Sequence, residues 1–169
     1  VPGAPSGVGK VSSLMTFDLR SGTPKAVYPF PAPASACNDI AVDKDGTAYA
    51  TDTPNGRVFT VSPGSKTLEL FVQDDKLKGI DGIVFGGDGT LYVNIVSRGA
   101  LVRIDRKADR SAGAITELTL SHPVKGPDGF RLIEGNRFLL AEGQGGRIDE
   151  VTISGNDAKI RVLKEGLNS

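Results

Sequence analysis

The feature that most constrains this chain is an internal repeat. Residues 37–61, CNDIAVDKDGTAYATDTPNGRVFTV, pass through three short β-prone segments separated by two turns, and two later stretches do the same. Laid over the first copy, residues 80–105 (IDGIVFGGDGTLYVNIVSRGALVRID) align without a gap from the start through the paired tyrosines. Asn38 falls on Asp81, Asp39 on Gly82, Ile40 on Ile83, Asp45-Gly46-Thr47 on Asp88-Gly89-Thr90, and Tyr49 on Tyr92. Residues 127–153 (PDGFRLIEGNRFLLAEGQGGRIDEVTI) fit after one deletion in the first turn, with Asp128 on Asp81 and Phe138 on Tyr92. Positions 38, 81 and 128 thus recur 43 and 47 residues apart. Repeats of about 40 to 50 residues built from several short strands are the signature of a β-propeller, one four-stranded blade per repeat.

Each copy makes physical sense as a blade. The apolar runs IAV (40–42) and IVF (83–85) lack helical spacing and are bounded by Gly or Asp, which suits a strand buried on both faces near the axis. DKDGT (43–47) and GGDGT (86–90) supply the Asp-Gly pair that tolerates positive φ in a tight hairpin. Half-buried strands follow (TAYAT, TLYVN), then Gly-containing turns, then third strands (RVFTV, LVRID). Fourth strands are expected at 67–72, 114–120 and 159–163.

The fold class is therefore all-β, with blades of four antiparallel strands. Residues 10–19 and 25–30 read as a third and a fourth strand, so the chain opens on the outer half of a blade, and about three and a half blades are present. The expected divisions are 1–36 (a Pro- and Gly-rich arm over 1–10, the half-blade and a loop at 31–36), then blades at 37–73, 74–121 and 122–169. Helix is confined to one turn at most, at 74–79. Such a piece leaves open strand edges, which propellers remove by closing the ring, so a second chain or a missing segment is expected to complete it.

Composition excludes several roles. Twenty acidic residues balance twenty basic ones, and no basic run is interleaved with aromatics, so neither nucleic acid nor an anionic membrane is an expected partner. No apolar run approaches the roughly 18 residues of a membrane span. The single Cys37 excludes an internal disulfide. The compartment is unknown from the sequence: the chain opens on Val1, which leaves a removed amino-terminal segment open.

In a propeller the loop entering each inner strand sits at one rim of the central channel. Asn38, Asp81 and Asp128 share that entry position in three consecutive blades and are expected to face one opening. Two carboxylates and an amide oxygen make a hard oxygen site for a divalent metal: Ca²⁺ first, with Mg²⁺, Mn²⁺ and Zn²⁺ as alternatives.

The segments CNDIAVDKDGTAYATD, IDGIVFGGDGTLYV and GPDGFRLIEGNRFLLAEGQGGRI resemble the blades of the gluconolactonase family, also called the senescence-marker-protein or regucalcin family, over residues 37 to about 155. The resemblance implies a six-bladed propeller with a divalent metal on its axis. It implies metal ligands at Asn38 and Asp81, with Asp81 also the general base for hydrolysis of a sugar lactone or similar small ester. The wording Gly126-Pro127-Asp128-Gly129 offers a second register, in which Asp81 stands where an Asn is expected. Asp39 replaces the Gly usual after the entry residue, and the further metal ligand that the resemblance implies, a Glu from the first blade, has no counterpart in these residues.

Structural readings stand beside this one. An Asp or Asn before an inner strand also caps a turn. Asp45 and Asp88 read as turn residues, His122 as a loop residue, Cys37 as a small buried side chain. Arg98, Glu142 and Gln144 read as solvated turns at the end opposite the entry loops. The competing function is a non-catalytic propeller that binds a ligand or a protein.

Overall fold

The computed structural model describes residues 12–31 and 35–167. The arm expected over residues 1–10 and part of the 31–36 loop lie outside the described residues. The strands are β1 (Ser13–Phe17), β2 (Pro24–Pro29), β3 (Cys37–Val42), β4 (Ala48–Asp52), β5 (Arg57–Val61), β6 (Glu69–Gln73), β7 (Ile80–Phe85), β8 (Leu91–Ile95), β9 (Ala100–Arg106), β10 (Ala112–Glu117), β11 (Thr119–Leu120), β12 (Pro127–Glu134), β13 (Arg137–Glu142), β14 (Arg147–Ser154) and β15 (Asp157–Glu165). One 3-10 turn, Asp75–Leu77, is capped by the Asp74 carboxylate.

These strands form the expected half-blade, β1–β2, and three blades ordered β3-β4-β5-β6, β7-β8-β9-β10 and β12-β13-β14-β15. Within each blade neighbouring strands are antiparallel. The first hairpin turns work as their sequence demands. Gly46 and Gly89 take φ of 88° and 84°, while the Asp45 and Asp88 carboxylates accept the Thr47 and Thr90 N–H at 2.9 Å.

One strand departs from expectation. The second blade's fourth strand ends at Glu117, and Thr119–Leu120 cross over to pair in parallel with β15, on the outer edge of the third blade. The chain steps to its next blade at the periphery before returning to the axis.

Cores lie between blades, not within them. Phe59, Ala50 and Val61 of the first blade pack on Leu14, Tyr28 and Phe30 of the half-blade. Tyr49 and Val58, from the opposite face, pack with Ile83, Val93 and Val102 of the second blade. Leu101 and Tyr92 then pack with Phe130, Phe138, Leu140 and Val151 of the third. The rings meet edge to face, Tyr49 on Phe85 at 5.1 Å and Tyr92 on Phe138 at 5.4 Å, which adds directional preference to the apolar burial.

The expectation that inner strands are buried on both faces holds for β7 and fails for β3. Ile83 is 1% exposed, but its equivalent Ile40 is 43% and Val42 60% exposed. The reason is geometric: β7 has an inner strand on either side, whereas among the described residues the half-blade puts none beside β3.

Candidate functional site

Every inner strand carries an irregularity at its entry. Pairing slips between Cys37 and Ile40, between Ile80 and Ile83, and between Pro127 and Phe130. A bulge of this kind re-aims side chains at the rim. The three expected residues therefore hold equivalent backbone positions, in environments that differ. Asp81 is buried, while Asn38 and Asp128 are exposed.

Asp81 is the unusual one. No donor among the described residues reaches its carboxylate. Burial and the neighbouring charges of Asp128 and Asp39 push it up to about 6 from an ordinary 3.8, because a buried carboxylate beside like charges resists ionisation. The structure thus gathers Asp81, Asp128 and the unpredicted Asp39. The Asn38 side chain makes no hydrogen bond among the described residues.

Asp39 is ion-paired. Arg131, from the third blade, reaches across the second blade and holds it with two bonds, Nη1 to Oδ2 at 2.7 Å and Nη2 to Oδ1 at 2.9 Å. The Asp39 Oδ2 also accepts the Ile83 N–H at 3.0 Å. A fork-to-fork ion pair is directional, so it ties the rims of three blades together. In the second blade the equivalent residue must be Gly82, because a Cβ there would lie 2.5 Å from the Asp128 carbonyl oxygen.

The backbone at the entry positions is held by a relay between blades. The Thr51 hydroxyl accepts the Asp39 N–H at 3.0 Å and donates to the Asp81 carbonyl of the next blade at 2.9 Å. Asn94, at the matching position, accepts the Gly82 N–H at 3.0 Å and donates to the Asp128 carbonyl at 2.5 Å. Pro127 pairs with Glu142 as Ile80 pairs with Ile95, and Leu132 with Phe138 as Phe85 with Leu91. The third repeat therefore fits without the expected deletion, and Phe138 stands on Leu91 and not on Tyr92. The third-blade equivalent of Asn94 is Ala141, where the relay stops.

The second-strand turns lie on the same rim, not at the opposite end as expected. Cys37 pairs with Asp52, Ile80 with Ile95, and Pro127 with Glu142, so each second strand finishes beside the entry of the first. Nor is Glu142 solvated. Buried at 2% exposure, it accepts the Lys125 N–H at 2.5 Å and pairs with Arg147 at 2.6 Å. Asp52 does the same in the first blade, accepting the Ala36 N–H at 2.8 Å and pairing with Arg57 at 2.5 Å. Each carboxylate anchors the loop that delivers the chain to the axis. In the second blade, with Ile95 and Ala100 at those positions, a backbone bond stands in their place: Gly79 donates its N–H to the Thr53 carbonyl at 3.0 Å. Arg98 likewise is tied down, to Glu117 and to the Lys76 carbonyl.

Beside Glu142 lies a second buried carboxyl. Asp149 occupies the position of Phe59 and Val102 in the other blades, is fully buried, and neither oxygen has a partner. Burial and the adjoining Glu142 push it up to about 7. Burial and the like charge beside it both favour the protonated form of Asp149.

The remaining readings hold. Cys37 is half-buried against the half-blade cluster, and burial raises its thiol above the ordinary range. His122 follows Ser121, whose N–H and hydroxyl bond Ala158 and Ile160 of β15, so it lies at the outer edge and away from the axis. A cation needs several ligands, and among the described residues no three His, Cys, Asp or Glu form a group able to hold one.

The chain matches no family model and no curated protein. In three dimensions it is similar to virginiamycin B lyase from Staphylococcus aureus, with TM-score 0.71 and 19% identity over 90% of this chain and 49% of that one. It is similar to a gluconolactonase from Xanthomonas campestris, with TM-score 0.64 and 19% identity over 78% of this chain and 48% of that one. It is also similar to an auxiliary nutrient binding protein from Bacteroides thetaiotaomicron, with TM-score 0.64 and 14% identity over 85% of this chain and 36% of that one. The chain spans about half the length of the first of these. At such identities the likeness establishes the fold, a partial β-propeller.

Proposed function

We propose that this chain carries part of the axial site of a lactonase-type propeller hydrolase acting on a sugar lactone or similar small ester, with Asp81 as the general base. One observation carries the reading. Asp81 is a buried carboxyl at the channel rim that no donor restrains, poised to ionise near neutral pH and to take a proton from water attacking a carbonyl. Thr51 and Asn94 position its backbone, and Arg131 pairs with Asp39 beside it. The similarity to a gluconolactonase supports the substrate class.

A divalent cation fits this rim in charge and donor type, since Asp81 and Asp128 are hard oxygen donors close enough to repel one another. Their ligand set is incomplete: Asn38 would add one oxygen, and the rest would come from outside the described residues. When bound, such a cation polarises a carbonyl and acidifies water.

The test is hydrolysis of gluconolactone followed by acid release, with and without added Ca²⁺. Asp81→Asn should lower turnover by about a hundredfold or more, the scale of a lost general base. Full activity in that variant, or no turnover by the parent above background, would sink the proposal.

A second reading, a sugar-binding scaffold without catalysis, draws on the Arg131 clamp over Asp39, the incomplete ligand set and the nutrient-binding relative. Saturable binding of the sugar with no acid release would select it.

A further inference from the structure

We infer that the channel rim binds a small polyhydroxylated carboxylate, a sugar acid, through the free edge of the Arg131 guanidinium. The inference rests on neither reading of the axis above, since a substrate, a product or a carried ligand would meet the same edge.

A guanidinium offers five N–H donors in one plane. Arg131 uses three of them within the protein. Its Nη1 donates to Asp39 Oδ2 at 2.7 Å and to the Phe130 carbonyl at 2.8 Å, and its Nη2 donates to Asp39 Oδ1 at 2.9 Å. Asp39 thus occupies the end of the fork. The side of the fork, where Nε–H and the second Nη2 hydrogen run parallel, has no partner among the described residues, and the side chain is 59% exposed.

That open edge is held in place. Besides Arg131, Asp39 accepts the Ile40 N–H on Oδ1 at 2.9 Å and the Ile83 N–H on Oδ2 at 3.0 Å. Four hydrogen bonds fix the carboxylate, and the carboxylate fixes the guanidinium plane across β7. A donor pair oriented in advance gives up little freedom when a ligand arrives.

Other arginines of the chain show what such an edge takes. Arg57, Arg137 and Arg147 each turn Nε and Nη2 to a carboxylate of their own blade, Asp52, Glu150 and Glu142 respectively. Among the described residues, Arg131 is the one arginine on an inner strand, and there the edge is open.

The surroundings specify the rest of the ligand. Asp128 and Asn38 are exposed on the same rim, and neither side chain makes a hydrogen bond among the described residues. The charge of Asp128 acts on both Arg131 and Asp81. An unpartnered carboxylate and amide accept hydrogen bonds from hydroxyls, while the Asp128 and Asp81 carboxyls penalise a ligand of higher negative charge. One carboxylate on Arg131 with hydroxyls beside it satisfies every group.

The test is calorimetric titration of the full chain with glucuronate and with glucuronamide, which has the same ring and hydroxyls but an uncharged amide in place of the carboxylate. Glucuronate should bind about tenfold tighter or more. Arg131→Gln should lower the affinity for glucuronate to that for the amide. Arg131→Lys, which keeps the charge without the paired donors, should recover only a small part of the difference. Both variants replace an exposed side chain, and unchanged amide exchange in β7–β9 shows that each is folded. No binding of glucuronate by the parent, equal binding of acid and amide, a preference that survives in Arg131→Gln, or full recovery by Arg131→Lys would each overturn the inference, the last by making a point charge sufficient.

Discussion

The first and second blades are built from almost the same words, and their inner strands meet different fates. CNDIAV and IDGIVF align residue for residue, yet Ile83 is 1% exposed and Ile40 43%. The second blade has a full blade on each side. The first has a full blade on one side and a half-blade on the other. An apolar residue in such an architecture becomes core only when the neighbouring wedge is present, so burial here belongs to the stack and not to the strand. Repeat proteins share this logic, with stability divided between the unit and its interfaces.

The sharpest way to break this comparison is to remove the same methyl and methylene groups from both strands. Ile83→Ala should cost about 2–5 kcal/mol by leaving a cavity, while Ile40→Ala should cost less than about 0.5 kcal/mol as a surface change. Urea unfolding of the two variants measures both, and equal losses would refute the comparison.

Next in size is the relay. Asn94 is fully buried and bridges two blades, so Asn94→Ala strands the Gly82 N–H and the Asp128 carbonyl and should cost about 1–3 kcal/mol. Thr51→Ala, between the first and second blades, should cost less, because the Asp39 N–H that it frees is less buried than the Gly82 N–H. Denaturant midpoints decide the order.

The smallest effect is a pH dependence in the third blade. The folded-state value of Asp149 stands above its ordinary 3.8, so folding favours the protonated form. Its contribution is present at low pH and is lost as pH rises from about 4 through about 7, flattening above. The parent should be less stable at pH 8 than at pH 5 by on the order of 1 kcal/mol from this residue, and Asp149→Asn should remove that slope. Glu142 and Arg147 are the charged groups that face it. Thermal midpoints of both proteins across that range check it, and parallel curves would contradict it.

Much of the fold was legible because the signals are local. The Asp-Gly turns at 45–46 and 88–89, the apolar triplets and the 43-residue spacing all lie within one repeat. The candidate site was legible only as equivalent positions. Asp39, Arg131, Thr51 and Asn94 act on residues 30 to 92 positions away in another blade, a distance no periodicity reports. The entry bulges add to this, since two residues share one place in the ladder and spacing alone does not say which points inward. The placement of the second-strand turns, by contrast, was readable. An antiparallel second strand must return to the rim from which the first departed, and Glu142 beside Pro127 follows from that.

The most direct test of the account is native-state amide exchange compared strand by strand in the unmodified chain. If the neighbouring wedge decides burial, Ile80–Phe85 should rank among the slowest segments and Cys37–Val42 should exchange markedly faster, although their sequences are near copies. Equal protection of the two strands, or slower exchange in Cys37–Val42, would contradict it.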